Sequence, residues 1–372
     1  MKIAMIGHKR IPSREGGVEI VVEELSKRMV EKGNEVHVYN RMGHHVSGGR
    51  YDTEHLKNYK GIRIITIPTL ENKNLNAFLY SFNATIRALF GRYDVIHYHA
   101  EGSCVMLLLA HLFRAKTVVT IHGLDWKRAK WGGFATKYLL LGEKTAVKYA
   151  DEIIVLSQNV QNYFMDTYHR ETNFISNGIQ ANEQREAQII TEKYQLKKDD
   201  YILYLARIVP EKGVHYLIDA FKKISTDKKL VIAGGSSGTG EYFDQISKLA
   251  AQDDRIIMTG FVQGEELQEL YSNAYVYVLP SDIEGMPISL LEAMSYGNCC
   301  LTSDIKENSE IVEDKGVVFR KSDVSDLQNK LEYLIHNEDI VKTYKSEAGD
   351  FITKKYEWDA VVDRTLGLYT KA

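Results

Sequence analysis

Short apolar runs recur along the chain, and between them lie longer stretches in which apolar residues return every three or four positions. In the first half the runs are KIAMIGH, EVHVYNR, IRIITIP, DVIHYHA, KTVVTIHG, EIIVLS and TNFISNG. Runs this continuously apolar suit strands covered on both faces, as in a parallel sheet. Val18, Val21, Val22, Leu25 and Met29 share one face of a helix predicted over 18–32, which Gly33 ends. The alternation of strand and helix predicts an α/β fold with a mostly parallel, doubly wound sheet.

A polar stretch, QANEQREAQIITEKYQLKKDD, interrupts the rhythm before it restarts with YILYLAR, KLVIAGG, RIIMTGFV, AYVYVLP, NCCLTS and GVVFR. Two Rossmann-like units follow, expected at 1–180 and 186–355 and facing each other across a cleft, with a closing helix near 356–372 returning to the first. Ligands of open α/β sheets sit beyond the carboxyl ends of the strands, so the residues placed there are the candidates for chemistry.

At 372 residues the chain exceeds one ordinary core and fits two domains of roughly 100–200 residues each. A hydrophobic share of 44% and a charged share of 26% exclude disordered and fibrous classes. No run reaches the roughly 18 apolar residues of a membrane span; CVMLLLAHLF is short and broken by His111. MKIAMIGHKRIP reads as a first strand rather than a secretory segment, which disfavours an exported sugar-binding protein of the same two-domain plan. Cys104, Cys299 and Cys300 form no disulfide framework and point to a reducing, cytoplasmic location, with the adjacent pair expected as packing in a buried strand.

Charge is uneven. Residues 1–185 carry 25 Lys and Arg against 18 Asp and Glu, net +7, whereas 186–372 carry 22 against 32, net −10. Either two solvated surfaces happen to differ, or the basic half approaches an anionic surface or lipid head group.

The stretch SDIEGMPISLLEAMSYG, residues 281–297, concentrates the candidate chemistry. A buried strand precedes it, Pro287 suits the first turn of a helix, and Gly297 suits its end. Backbone N–H groups around Gly285, Met286, Ile288 and Ser289 are then expected to meet a phosphate. Glu292, one turn inside, is placed for the two hydroxyls of a ribose, and Glu284 for the group that the phosphates carry. The competing reading makes Glu284 a charge favoured by the helix dipole and Glu292 a solvated helix residue. YLARIVPEKGVHYL adds Arg207 at a strand end and Lys212 in the next turn, cations suited to a diphosphate leaving group.

The pair Glu284 and Glu292, with Arg207, Lys212, the EGG of Glu15, Gly16 and Gly17, the IHG at 121–123 and the SNGI at 176–179, resembles glycosyltransferase family 4. These are retaining, nucleotide-sugar-dependent enzymes of the GT-B fold. IGHKRIPSREGGVEIVVEEL and HGLDWKRAKWG look closer still to the bacterial rhamnosyltransferase-like branch of capsule and exopolysaccharide synthesis. The resemblance implies that Gly16 and Gly17 approach the diphosphate, Arg207 and Lys212 clamp it, Glu292 holds the ribose, and Glu284 with the backbone of Gly285, Met286, Pro287 and Ile288 holds the donor sugar. His122 would act near the reacting carbon. Gly260 and Val262 would line the nucleotide site, and Arg10, Glu15, Asp125 and Asn177 the acceptor side. Gly16 and Gly17 also read as a turn into a helix, and His122 as a hydrogen-bonded core histidine. The glycines of AGGSSGTGEY, at 233–242, are expected to shape the backbone beside the nucleotide.

The resemblance implies dTDP-rhamnose as favoured donor, a UDP-hexose as runner-up, and a polyprenyl-diphosphate-linked saccharide as acceptor at the inner face of the plasma membrane. A catalytically silent GT-B subunit that partners another glycosyltransferase is the alternative. Transfer proceeds by front-side displacement, or by double displacement on Asp125 or Glu284. No metal or cofactor is expected: His44 and His45 fall in a polar loop, His97 and His99 have strand spacing without a third ligand nearby, and Asp282-Ile283-Glu284 is the nearest approach to Asp-x-Asp. Nucleic acid is not an expected partner. DWKRAKWGGFATKYLLLGEKTAVKYA interleaves Lys127, Arg128, Lys130, Lys137, Lys144 and Lys148 with Trp126, Trp131, Phe134, Tyr138 and Leu140, so a helix here presents aromatic and cationic groups to a membrane. Against that, Tyr138, Leu139, Leu141 and Ala146 suit packing on the sheet.

Overall fold

The computed structural model of the protein describes residues 1–43, 55–69, 76–127, 133–235 and 240–371. They form two units, residues 1–178 with 358–372, and residues 179–357.

In the first unit β1 (Lys2–Ile6), α1 (Gly17–Glu31), β2 (Glu35–Arg41), β3 (Asn58–Tyr59) and β4 (Ile62–Ile67) are followed by α2 (Asn76–Leu89) and β5 (Val95–His99). Next come α3 (Glu101–Cys104), α4 (Leu107–Leu112), β6 (Thr117–Ile121), α5 (Gly133–Tyr149), β7 (Glu152–Val155), α6 (Gln158–Tyr168) and β8 (Asn173–Phe174). The described strands order as β3-β4-β2-β1-β5-β6-β7-β8. Every pair is parallel except β3 with β4. The short β3 was not legible in the sequence, and the run TNFISNG yields only Asn173–Phe174 as strand.

The second unit contains α7 (Ile189–Tyr194), β9 (Tyr201–Leu205), α8 (Val214–Phe221), β10 (Lys229–Ala233), α9 (Gly240–Ala250), β11 (Ile256–Gly260) and α10 (Glu265–Asn273). It continues through β12 (Val276–Leu279), α11 (Ile288–Ser295), β13 (Cys299–Ser303), α12 (Lys306–Val312), β14 (Val317–Phe319), α13 (Val324–His336) and α14 (Glu338–Lys355). Its parallel strands order as β11-β10-β9-β12-β13-β14. The stretch expected as a plain polar linker thus contains α7, whose Ile190 is fully buried. The last helix, α15 (Trp358–Thr370), belongs to the first unit.

Strand order reverses beside β1 in one sheet and beside β9 in the other, and such switch points open a crevice at the carboxyl edge. At the first, Gly7 has φ +113°, and a Cβ on it would lie 2.0 Å from the His99 carbonyl oxygen. Only glycine lets the chain pass there.

Period-two alternation assigns the two faces of the first sheet. Ile6, Ile96, Tyr98, Val119, Ile121 and Val155 pack with α2 to α6 in one core. His97 and His99, between them in register, point the other way, where the Tyr369 hydroxyl from α15 meets His97 Nδ1 at 2.6 Å. α15 also lies against α1, with Arg28 over the Trp358 ring at 5.6 Å and Lys32 2.8 Å from Asp363. The three cysteines are free and buried, and burial pushes each thiol above its ordinary range, Cys299 to about 12.

Burial pushes the His97 imidazole down to about 3 and His99 well below the ordinary value. Both are neutral in the folded protein but charge near pH 6.5 when unfolded, so the stability they confer is complete above pH 6.5 and is lost as pH falls towards 3. Unfolding midpoints in denaturant are therefore expected to drop steeply between pH 6.5 and pH 4. His97→Gln is expected to lower stability at pH 7 and to flatten that slope by up to about 1.4 kcal/mol per pH unit. An unchanged slope would mean that His97 titrates normally.

Candidate functional site

In the second unit the chain leaves β9 at Arg207, makes a 3-10 turn over Pro210–Lys212, and enters α8 through Gly213. Gly213 has φ +67°, and a Cβ there would lie 2.0 Å from the Pro280 carbonyl oxygen just past β12. This close approach sets the β9 and β12 loops side by side, tied by the Asp282 N–H donating to the Glu211 carbonyl at 2.9 Å.

The consequence is an ion pair. Lys212 Nζ donates to Glu284 Oε2 at 2.6 Å, with Glu284 buried and Lys212 nearly so. The sequence assigned these residues separate duties; the structure couples them. Asp282 is held on both oxygens, by Tyr216 at 3.1 Å and Ser322 at 2.7 Å.

After Glu284 the chain passes Gly285 and Met286 into α11. Pro287, expected as the first helical residue, is instead the capping residue, with φ −73° but an extended ψ of 109°. It supplies no side-chain acceptor to the helix, whose first N–H groups reach backward for Pro287 only from Leu290 onward. Glu292 sits on the following turn, where the buried Tyr271 hydroxyl donates to Oε2 at 3.2 Å. Tyr271 stacks on Tyr296 with centroids 5.3 Å apart, and Tyr277 donates to Ser289 Oγ at 2.9 Å. Burial raises the hydroxyls of Tyr204, Tyr271 and Tyr277 well above their usual range, so all three stay neutral donors.

None of these tyrosines was picked out from the sequence. They occupy strand and helix positions whose apolar bodies fill the core, and nothing in the spacing separates a tyrosine that orients a carboxylate from one that only packs. Gly260 ends β11 at φ +73°, and its carbonyl accepts from Gly234 at 2.8 Å. Val262 is buried two residues later. Residues 236–239 of the glycine-rich turn lie outside the described residues.

In the first unit the carboxyl edge gathers three histidines. His8 follows β1, His99 ends β5, and His122 follows β6. His99 Nδ1 is 3.1 Å from His122 Nε2, and the His97 and His99 rings stack at 4.2 Å. His97 and His99 therefore do have a third histidine nearby, brought by the neighbouring strand, which the sequence reading did not foresee. Among the described residues, no group of three or more His, Cys, Asp or Glu is placed to hold a metal ion; His44 and His45 lie outside them. Burial lowers His8 to about 4, while its Nε2 lies 3.1 Å from the Asn40 side-chain oxygen.

Gly16 caps α1 in an extended conformation open to any residue, and Gly17 begins the helix on the surface. Glu15 is buried with an oxygen 4.0 Å from Lys9 Nζ, and Arg10 is buried with its guanidinium on the Gly43 carbonyl. Asn177 is buried beyond β8.

Asp125 lies on a half-buried 3-10 turn with Trp126 and Lys127. Beneath it are two buried carboxyls that the sequence reading passed over. Glu143 accepts from Trp126 Nε1 at 3.0 Å, from Tyr163 at 2.8 Å, and from Tyr168. Glu101 beside it is pushed far above the carboxylate range, first by burial and then by Asp125 and Glu143, so it keeps its proton at neutral pH. Trp126, expected to face a membrane, and Tyr138, offered either to a membrane or to packing on the sheet, are thus spoken for, the latter donating to the Gly102 carbonyl at 2.8 Å. Arg128, Lys130 and Trp131 lie outside the described residues.

Residues 15–183 match the family model "Glycosyltransferase Family 4", and residues 186–351 match "Glycosyl transferases group 1". The chain is 26% identical over 392 residues to an uncharacterized glycosyltransferase of Methanocaldococcus jannaschii, covering 99% of this chain and 98% of that one. It is 27% identical over 269 residues to the capsular polysaccharide biosynthesis glycosyltransferase CapM of Staphylococcus aureus, covering 68% of this chain and 69% of CapM. Among solved structures, sucrose-phosphate synthase from Thermosynechococcus elongatus superposes with a TM-score of 0.82 at 20% identity, over 99% of this chain and 98% of that one.

Removing one partner of the Lys212–Glu284 pair leaves a buried charge unpaired, a loss typically of about 3–5 kcal/mol. Lys212→Met is expected to lower stability by about that much, and Glu284→Gln in the same chain to restore at least half of it. Chemical denaturation of the single and double variants measures the coupling. Additive losses would show the two side chains to be energetically independent.

Proposed function

Because the chain is a glycosyltransferase of the GT-B fold, built from a family 4 half and a group 1 half, we propose that it moves a sugar from a nucleoside diphosphate sugar to a saccharide acceptor with retention of configuration and without a metal. The observation that carries this reading is the grouping, at one sheet edge, of Arg207, the Lys212–Glu284 pair, the start of α11 and a Glu292 held by Tyr271.

Arg207, Lys212 and the first N–H groups of α11 offer positive charge where the bond between sugar and diphosphate breaks, and charge placed there in advance stabilises the leaving group as it forms. Glu292, aligned by the Tyr271 hydroxyl, accepts the ribose hydroxyls. Glu284 meets the donor sugar while both its oxygens hold Lys212. By the family resemblance, Gly260 and Val262 serve the base, and Gly16 and Gly17 the phosphates. His122 serves the donor sugar, and Arg10, Glu15, Asp125 and Asn177 the acceptor.

In front-side displacement the acceptor oxygen forms its bond to the anomeric carbon on the face from which the phosphate oxygen departs. That phosphate oxygen takes the acceptor's proton, and no protein nucleophile is required. Pairing with Lys212 ties up the Glu284 carboxylate, which favours this course over double displacement on Glu284. The favoured donor is dTDP-rhamnose, with UDP-hexoses next, and the acceptor is a polyprenyl-diphosphate-linked saccharide at the inner face of the plasma membrane. The likeness to a capsular polysaccharide enzyme supports a role in capsule or exopolysaccharide assembly.

Product formation by the purified chain with a panel of nucleotide sugars and a lipid-linked acceptor tests this reading. Persistent absence of transfer, with nucleotide still bound, would favour a silent subunit that partners another glycosyltransferase. Glu292→Ala is expected to weaken nucleotide binding tenfold or more, because the ribose contacts are lost, and Tyr271→Phe by about fivefold, because only the hydroxyl that orients Glu292 is lost. Calorimetric Kd values check both. EDTA is expected to leave kcat unchanged; loss of activity that Mg²⁺ or Mn²⁺ restores would overturn the metal-free reading.

A further inference from the structure

The exposed apolar side chains of the first unit concentrate on three neighbouring helices. On α5, Phe134 is 78% exposed and Leu141 49%, and Lys137, Lys144 and Lys148 are exposed as well. The spacing 134, 137, 141, 144, 148 lines one helix face, so a stripe of alternating apolar and cationic groups runs along α5. On α4, Leu108 and Leu112 share a face one turn apart, the latter 67% exposed, and Phe113 follows at 57%. On α2, Phe78 and Phe82 stack one turn apart, and Phe78 meets the Tyr138 ring of α5 at 6.4 Å. Phe90, 75% exposed just past α2, meets Phe113 edge-on at 6.3 Å, closing the patch from its other side.

Among the described residues, the exposed charges within these three helices have one sign. α2 and α4 contain no Asp or Glu, and the Glu143 of α5 is buried beneath Trp126, Tyr163 and Tyr168. Among the described residues these charges are Arg87, Lys137, Lys144 and Lys148 on the helices, with Arg114 exposed after α4 and Asp151 exposed after α5. The sequence expected a membrane contact only within 125–150; the structure supplies two further helices and withdraws Trp126 and Tyr138 from it.

We propose that the α2, α4 and α5 surface seats the protein on an anionic lipid bilayer. The phenylalanines and leucines enter the acyl boundary, and the lysines extend their apolar stems to reach phosphate head groups. A second copy of the chain fits poorly, because a two-fold contact through this face sets cations against cations. The role of the surface rests on the lipid-linked-acceptor reading, but binding to lipid needs neither donor nor acceptor and is measured without them.

Sedimentation of the full chain with sucrose-loaded phosphatidylcholine vesicles, with and without phosphatidylglycerol, tests the proposal. Binding is expected only with phosphatidylglycerol and to weaken as salt rises. Lys137→Gln, Lys144→Gln and Lys148→Gln together are expected to reduce partitioning on the order of 100-fold at low salt, from about fivefold per lysine. Phe134→Ser with Leu141→Ser is expected to reduce it tenfold or more, whereas Lys342→Gln with Lys354→Gln, exposed lysines of the second unit, is expected to leave it unchanged. Unfolding midpoints and nucleotide Kd values at the wild-type level show that the variants are folded and that the donor site is intact. Pelleting insensitive to phosphatidylglycerol, or to both first-unit variants, would overturn the proposal. So would a solution dimer, seen by light scattering, that the same substitutions dissociate.

Discussion

A parallel strand must be covered on both faces, because its crossover connections place helices above and below it and leave no face for water. Much of this protein follows from that requirement. The strands become apolar runs, the helices become amphipathic, and the groups free to do chemistry collect in the loops at the carboxyl edge. Where strand order reverses, beside β1 and beside β9, two such loops come close enough that glycine is required, at Gly7 and at Gly213. The second of these contacts holds Lys212 opposite Glu284.

Buried carboxyls are managed differently in the two units. In the second, Glu284 pairs with an ammonium, and the half-buried Glu292 is oriented by a neutral tyrosine. In the first, Glu101 stays protonated beside Glu143, which takes the hydrogen bonds of an indole and two phenols. An ion pair and a protonated acid both avoid an isolated buried charge. They differ in what they leave available: the first keeps a cation at the sheet edge, while the second anchors the turn that carries Asp125.

The first unit also separates two kinds of surface. On one side of its sheet, α1 and α15 meet through an arginine over a tryptophan and an exposed ion pair. On the other, α2, α4 and α5 bury one face against the sheet and turn leucine, phenylalanine and lysine outward. The net charge of +7 over residues 1–185 is therefore not spread evenly, because the carboxylates of those three helices are either absent or buried.

Local pattern by itself determined most of the strands and helices, though not β3 or α7, together with the two-unit plan and the candidates at strand ends, because periodicity and turn chemistry are written in neighbouring residues. Arg207, Lys212, Glu284 and Glu292 were picked out for that reason: Arg207 and Glu284 follow buried strands by a few positions, Lys212 lies in the turn after β9, and Glu292 lies in the helix that follows Glu284. Tertiary structure alone decided which of them touch. The Lys212–Glu284 pair joins residues 72 apart, Tyr271 reaches Glu292 across 21, and His99 meets His122 across 23. No periodicity carries such separations. They depend on strand order, and strand order depends on how crossovers close over a core. The same holds for the apolar face of α2, α4 and α5: in sequence each helix reads as ordinary packing, and only their assembly on one side of the sheet shows which of their apolar residues the core had no room to bury.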